Sequence, residues 1–280
     1  MHVVIYEALE VAGGLLAWAI PPFRLPREAL EEDVTYVLNH GVDLELNHPL
    51  GPNEVIRLKE EKKAVILACG APQSQEADLP GTGLKNVWPG LDFLRRVSLG
   101  PPPELKDPIL VIGGGNTAID SARWALRLAT DVTLLYRRDR EQMPAYREEI
   151  DAAVAEGLRM VFRTQPVSIE ADAEGGVGAV CWVETKPTRR GDDGREVFSP
   201  LVGTENRLPA KTVILALGQQ SEAASWAAGL GLSGLTPDSS GLLAPGLYGV
   251  GDLITGPATV VEAIASGIAC ARAILAGIRP

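Results

Sequence analysis

Ile109-Leu110-Val111-Ile112-Gly113-Gly114-Gly115-Asn116-Thr117-Ala118 is the stretch on which the fold turns. Four consecutive apolar residues predict a strand buried on both faces. The Gly113-x-Gly115-x-x-Ala118 spacing that follows predicts a tight turn opening a helix that runs to about Leu128. Glycines in such a turn let the backbone approach a pyrophosphate, and the helix N-terminus offers N–H groups and the positive end of its dipole. Gly113, Gly114, Gly115, Asn116 and Thr117 are therefore the candidate phosphate-binding residues. A purely structural strand-to-helix turn is the alternative. The next strand argues against it.

That strand, Val132–Tyr136, ends in Arg137-Arg138. An NAD-specific unit carries Asp or Glu there, accepting from the ribose hydroxyls. Two arginines instead suit a 2′-phosphate through charge-assisted hydrogen bonds, so the expected ligand is NADPH. The alternative is an ordinary basic loop, because Arg140 and Arg147 lie close in sequence.

A second nucleotide unit is legible by offset. Val4-Ile5-Tyr6-Glu7 aligns with Leu134-Leu135-Tyr136-Arg137, which puts the acidic Glu7 in the ribose position. Gly113 precedes Arg137 by 24 residues, and the same spacing back from Glu7 falls ahead of Met1. The expectation is that the first strand and glycine loop of this unit lie outside the chain. Val3–Tyr6 then lacks a partner on one side, FAD is held weakly, and the sheet is rearranged or completed by a strand from elsewhere. Gly251-Asp252 follows another short strand, Leu247–Val250, and a long apolar-faced helix starts near Thr259. An Asp at that strand end suits a ribityl hydroxyl, and a helix N-terminus stabilises the negative charge of a reduced flavin. A plain Gly-Asp turn before an amphipathic helix is the alternative.

Around these motifs, Val3–Tyr6 and Ala64–Ala68 read as buried strands, Val42–Leu46 as a strand, and Arg27–Asn39 and Leu91–Val97 as helices. Pro101–Pro103 reads as a stiff linker. Met160–Thr164, Val177–Thr185 and Glu196–Pro200 read as a β-meander with a charged turn at Arg189–Gly194, and Thr212–Leu217 as a further buried strand. Alternating strands and helices imply parallel sheets covered on both faces. A net charge of −10 speaks against nucleic acid and anionic lipid as partners. No apolar run is expected to reach the length of a membrane span, no leader pattern is visible, and the default compartment is cytoplasmic. Cys69, Cys181 and Cys270 are far apart, form no CxxC and read as small buried hydrophobes. No iron–sulfur or zinc site is expected from them.

Taken together, Gly13-Gly14-Leu15-Leu16, Ile20-Pro21, Phe23-Arg24-Leu25-Pro26, Gly113 to Ala118 with Asp120, Tyr136-Arg137-Arg138, and Gly251-Asp252 with Thr259-Val260-Val261-Glu262-Ala263 span the whole chain. With them the chain resembles the FAD/NADPH part of the glutamate synthase small-subunit family, a group that includes the N-terminal half of dihydropyrimidine dehydrogenase. The resemblance implies that Glu7, Gly14, Leu15 and Arg24 touch FAD, that Gly251, Asp252 and Thr259 cover its flavin end, and that Arg137, Arg138, Ala216 and Gly218 join the glycine turn around NADPH. Trp18-Ala19 departs from the family's usual Tyr-Gly, and its Cys-rich iron–sulfur region is absent.

The expected fold is α/β, with two Rossmann-like three-layer nucleotide-binding domains, the NADPH domain (105–218) inserted into an FAD domain (1–104 and 219–280). The expected reaction passes a hydride from NADPH to FAD and electrons on to a partner subunit or domain. It requires no catalytic acid or base. The competing expectation is an NADPH-binding, non-catalytic or FAD-less subunit of a larger complex.

Overall fold

The computed structural model describes residues 2–190 and 196–278, so most of the turn expected at Arg189–Gly194 lies outside the described residues. The chain divides into two compact units. One comprises Ser74–Gly218 with Trp18–Leu25, and the other Met1–Ala17, Pro26–Gln73 and Gln219–Pro280. The first is called the inserted unit and the second the split unit.

The inserted unit is built on a five-stranded parallel sheet in the order Val87–Pro89, Thr212–Leu215, Ile109–Ile112, Val132–Leu135, Arg159–Val161. The central strand is Ile109–Ile112, in register with Thr212–Leu215 on one side and Val132–Leu135 on the other. Its alternating side chains explain the layers. Ile109 and Val111 pack with Phe93, Ile119 and Leu134 under the helices Gly90–Leu99 and Asn116–Leu128. Leu110 and Ile112 pack on the opposite face with Ile169, Val177 and Val180. Those last residues belong to antiparallel strands, Thr164–Ala171 and Val177–Arg190, which pair with each other and, through the second, with Glu196–Pro200 and Asn206–Pro209. An α/β sheet thus has helices on one face and a β-meander on the other. The stretch read as a single strand at Met160–Thr164 is two elements. Arg159–Val161 closes the parallel sheet and Thr164 opens the meander, because Arg163 takes a positive φ of 56° and breaks the run. The unit begins at Ser74, ahead of the three prolines, since Val87–Pro89 and Gly90–Leu99 belong to its sheet and core.

The split unit carries shorter pieces of sheet. Val3–Tyr6 pairs in parallel with Val42–Glu45, and Val65–Leu67 in parallel with Leu247–Gly249, which is itself antiparallel to Leu242–Ala244. Val55, Leu67, Leu247 and Leu253 form its main core, with the helices Pro52–Glu61 and Ala223–Gly229 against it. Neither of these helices has a counterpart in the sequence reading. Three expectations are corrected here. Val3–Tyr6 and the Ala64–Ala68 stretch are not buried strands. Val3, Ile5 and Ile66 are exposed, because among the described residues neither Val3–Tyr6 nor Val65–Leu67 has a strand on its second edge. Of the cysteines only Cys270 is buried. Cys69 is exposed, and Cys181 is half-buried with its thiol on the Glu170 carboxylate. Finally, the helix Val260–Ile278 contains a run, Val260–Gly277, that is long and apolar enough by length and composition to cross a membrane.

Gly113 fixes the geometry of the central turn. Its φ is +147°, and a Cβ there would sit 2.2 Å from the Ala216 carbonyl oxygen, a backbone atom that cannot swing aside. Gly113→Ala is expected to destabilise the inserted unit by about 1–3 kcal/mol, read as a lower urea midpoint at unchanged slope. An unchanged midpoint would show that the turn relaxes freely.

Candidate nucleotide-binding site

A cleft of about 1020 Å³ opens at the carboxyl end of the inserted unit's sheet, where ligands bind in open α/β folds. Its floor is the turn after the central strand. The Gly113 amide donates to the Leu135 carbonyl at 3.1 Å, and Gly115 caps the helix Asn116–Leu128 in an extended conformation with no side chain satisfying the helix end. The first-turn N–H groups of a helix have no intrahelical acceptors. An anion at the turn therefore meets oriented donors and the positive end of the dipole. Tyr136 lies flat beneath the turn: a Cβ on Gly114 would be 2.3 Å from its ring, and its hydroxyl donates to the Gln142 carbonyl at 2.8 Å. The Asn116 amide oxygen accepts from the Tyr146 N–H at 3.1 Å, bracing the segment that follows the arginines.

Arg137 and Arg138 line this cleft together with Gly113–Gly115, Thr117, Ala216 and Gly218. Neighbouring basic residues are engaged: Arg163 pairs with Asp139 at 2.6 Å and Arg140 with Asp151 at 2.5 Å. Among the described residues Arg137 and Arg138 make no ion pair, and the Nε of Arg138 is buried without a hydrogen-bond partner. The backbone of the pair is held in place, with the Arg137 carbonyl accepting from the Thr185 hydroxyl at 2.6 Å and the Arg138 carbonyl from the Arg163 N–H. A buried guanidinium nitrogen with no acceptor, beside a pre-formed anion turn, fits a bound phosphate. The sequence reading missed Gln142 and Glu196, which face each other across the cleft at 2.5 Å. They are 54 residues apart, and only the fold of the meander brings them together.

In the split unit, Glu7 accepts the Leu9 N–H at 2.8 Å at the end of its strand. Gly13 and Gly14 take φ of 109° and 55° on the way into the short helix Leu15–Trp18. Gly251, also at positive φ, donates to the Ser266 hydroxyl, and the neighbouring Asp252 has a buried Oδ1 with no hydrogen-bond partner. That orphaned acceptor fits a ribityl hydroxyl. Thr259 serves the helix itself: its hydroxyl accepts the Glu262 N–H and its own N–H donates to the Glu262 carboxylate, a capping box at the start of Val260–Ile278.

Arg24, expected at FAD, makes its ion pairs within the inserted unit. It belongs to the inserted unit, where its guanidinium bonds Asp120 at 2.5 Å and Glu149 at 3.1 Å. The pairing continues as a ladder from Arg123 to Glu149 and Glu156 and from Arg127 to Glu156, with the Phe23 ring under both Arg123 and Arg127 at 4.3 and 4.0 Å. Among the described residues no group of three or more His, Cys, Asp or Glu is placed to hold a metal.

The glycine turn, the arginine-bearing second strand and the parallel sheet define a dinucleotide-binding oxidoreductase fold. The chain belongs to the pyridine nucleotide-disulphide oxidoreductase family, whose pattern matches residues 15–267. It is 36% identical over 275 residues to the NADP(+)-dependent formate dehydrogenase subunit beta of Moorella thermoacetica, covering 95% of this chain and 39% of that protein. It is 32% identical over 303 residues to a putative NADPH glutamate synthase small chain of Cereibacter sphaeroides, covering 98% of this chain and 71% of that one. The resemblance to the small-chain group is thereby borne out. The chain spans less than half the length of several of these relatives, the Moorella protein among them. Among solved structures, Mycobacterium tuberculosis FprA in complex with NADPH aligns with a TM-score of 0.82 at 19% identity, over 99% of this chain and 78% of that one. The expected α/β fold with two Rossmann-like domains is borne out.

Asp120 carries a pH signature. Burial pushes its carboxyl up from 3.8 to about 7, against the attraction of Arg24 and with help from the nearby Glu149. A carboxyl that holds its proton more tightly folded than unfolded stabilises the protein while protonated, so this contribution is full below 3.8 and is lost as pH rises through about 7. The thermal midpoint of the chain is expected to fall between about pH 5 and about pH 7.5, and Asp120→Asn to flatten that fall. Equal slopes in the two proteins would assign the titration to another group.

Proposed function

We propose that the inserted unit binds NADPH, that the split unit binds FAD, and that the chain passes reducing equivalents from the one to the other and on to a partner subunit or domain. The cofactors supply the redox chemistry, a hydride moving from NADPH to FAD. The residues supply binding and orientation. Gly113 to Thr117 take the pyrophosphate, Arg137 and Arg138 the 2′-phosphate, and the tight strand end Ala216 to Gly218 leaves room for the nicotinamide. In the split unit, Glu7 is the ribose ligand, Gly14 and Leu15 lie along the dinucleotide, and Gly251, Asp252 and the helix N-terminus at Thr259 receive the flavin end. No side-chain acid or base is assigned, since hydride transfer requires stacking and alignment alone. The observation that carries the reading is the pair of arginines without ion-pair partners beside the glycine turn, with the Arg138 Nε buried and unmatched. The family membership supports the reaction class, and relatives named as subunits of larger enzymes support an electron-accepting partner.

A charge-assisted hydrogen bond contributes roughly 1.5–3 kcal/mol. Arg137→Glu is therefore expected to weaken NADPH binding about tenfold or more while leaving NADH binding little changed. The check is a fluorescence titration of both nucleotides against both proteins. Equal affinity of the unmutated chain for NADH and NADPH would defeat the assignment. The incomplete sheet of the split unit favours the second reading, an NADPH-binding subunit without flavin. A purified protein that binds NADPH but shows no flavin absorption after incubation with FAD would establish it.

A further inference from the structure

A carboxylate stands inside the cleft that the glycine turn and the two arginines prepare for phosphate. Glu196, the first residue of the strand Glu196–Pro200, lines it together with Arg137 and Arg138. A negative charge beside a phosphate-rich ligand costs affinity by Coulomb repulsion unless a donor on that ligand meets it. Among the described residues Glu196 has one hydrogen-bond partner, the Gln142 amide, whose Nε2 donates to its Oε2 at 2.5 Å. Its second oxygen accepts nothing from the described residues.

Gln142 is itself fixed in place. Its Oε1 accepts from the Asp139 N–H at 3.0 Å, and its main-chain carbonyl accepts from the Tyr136 hydroxyl at 2.8 Å. Asp139 is anchored in turn by the Arg163 guanidinium, at 2.6 and 3.1 Å, which commits that cation away from Glu196. An amide nitrogen has two hydrogens, and only one of those on Gln142 has an acceptor among the described residues. The pair therefore holds out an uncommitted carboxylate oxygen beside an uncommitted N–H. Both are pre-set by the chain that continues from the arginines.

The covalent structure of the dinucleotide says what meets them. Its 2′-phosphate is carried on the ribose carbon next to the one that bears the adenine, whereas the nicotinamide lies at the far end, beyond the pyrophosphate. A phosphate on Arg137 and Arg138 thus brings the base to the arginine end of the cleft, where Gln142 and Glu196 also lie. An adenine edge presents an exocyclic amine, a donor, beside a ring nitrogen, an acceptor. That order is the complement of a carboxylate beside an amide N–H. We propose that Glu196 and Gln142 read the base: the Glu196 carboxylate accepts from the adenine amine, and the Gln142 amide donates to the ring nitrogen beside it. A purine with oxygen in place of the amine sets two acceptors against each other and is rejected. The inference rests on the NADPH assignment above and adds to it a selection for the base, separate from the arginines' selection for the phosphate.

The test titrates the 280-residue chain, by reduced-nicotinamide fluorescence, with NADPH, NADH and deaminated NADPH. In the last, hypoxanthine replaces adenine and the 2′-phosphate is kept. NADPH is expected to bind at least about tenfold more tightly than the deaminated form. Glu196→Gln leaves an oxygen for Gln142 and turns the other acceptor into a donor. It should weaken NADPH, strengthen the deaminated form and bring the two to within about threefold, at an unchanged thermal midpoint. Glu196→Ala should abolish the preference without strengthening the deaminated form. Arg137→Glu, by contrast, should weaken both phosphorylated nucleotides by the same factor and keep their ratio. Equal affinity of the unmutated chain for NADPH and its deaminated form overturns the proposal, while tighter binding of NADPH than of NADH in the same titrations leaves the arginine assignment standing. A Glu196→Gln protein in which both forms weaken by one factor overturns it too, since the carboxylate then serves a ribose hydroxyl or Gln142 alone. A chain that binds none of the three nucleotides defeats the NADPH assignment and the base contact with it.

Discussion

Peptide groups removed from water must be paired, and for a strand with neighbours on both sides that means two complete rows of partners. The inserted unit meets this condition at Ile109–Ile112, and much else follows from it. Because both rows are filled, four consecutive aliphatic residues can be buried on both faces, and the two faces can then carry separate cores. Because the strand is fixed on both sides, the turn at its end is fixed too, with Gly113 pressed against the Ala216 carbonyl. The anion-binding helix end is thus positioned by backbone pairing, without reliance on any one side chain.

Charge is distributed with the same economy. The chain carries ten more acidic than basic side chains, and where an arginine lies near a carboxylate it is taken up. Arg24, Arg123 and Arg127 share Asp120, Glu149 and Glu156, with Phe23 filling the space beneath two of the guanidinium planes. The two arginines that follow Val132–Leu135 stand apart from this ladder. Among the described residues they make no ion pair although Glu141 and Glu196 line the same cleft, and that cleft adjoins a helix N-terminus.

The inserted unit was legible because its signals are local. Four-residue aliphatic runs, a glycine triplet and a basic pair each sit within a few residues of their neighbours, and each was placed where the structure has it. The split unit was less legible, because the burial of a strand depends on what pairs with it. Val3-Val4-Ile5-Tyr6 and Ala64-Val65-Ile66-Leu67 have the composition of buried strands, yet Val3, Ile5 and Ile66 are exposed because among the described residues neither strand has a neighbour on its second edge, which composition does not reveal. The ion-pair partners of Arg24 were illegible for another reason. A resemblance assigns it to a ligand, but its partners, Asp120 and Glu149, lie about a hundred residues downstream, and no spacing rule connects them. The helix near the end of the chain was read as apolar-faced, but its span-like length was underread because Glu262 and Arg272 break the continuous apolar run.

The membership of Trp18–Leu25 in the inserted unit bears on how the chain is made. Phe23 and Arg24 leave the ribosome early, whereas Asp120, the acceptor 96 residues further on, emerges much later. At roughly 5–20 residues per second, the interval is about 5–20 seconds. During that time an aromatic ring, an indole and a guanidinium wait in a nascent chain with their binding surface not yet synthesised. The inserted unit cannot close over its own amino-terminal strap until the helix Asn116–Leu128 is out, so the order of synthesis and the order of assembly run in opposite directions through this part of the molecule.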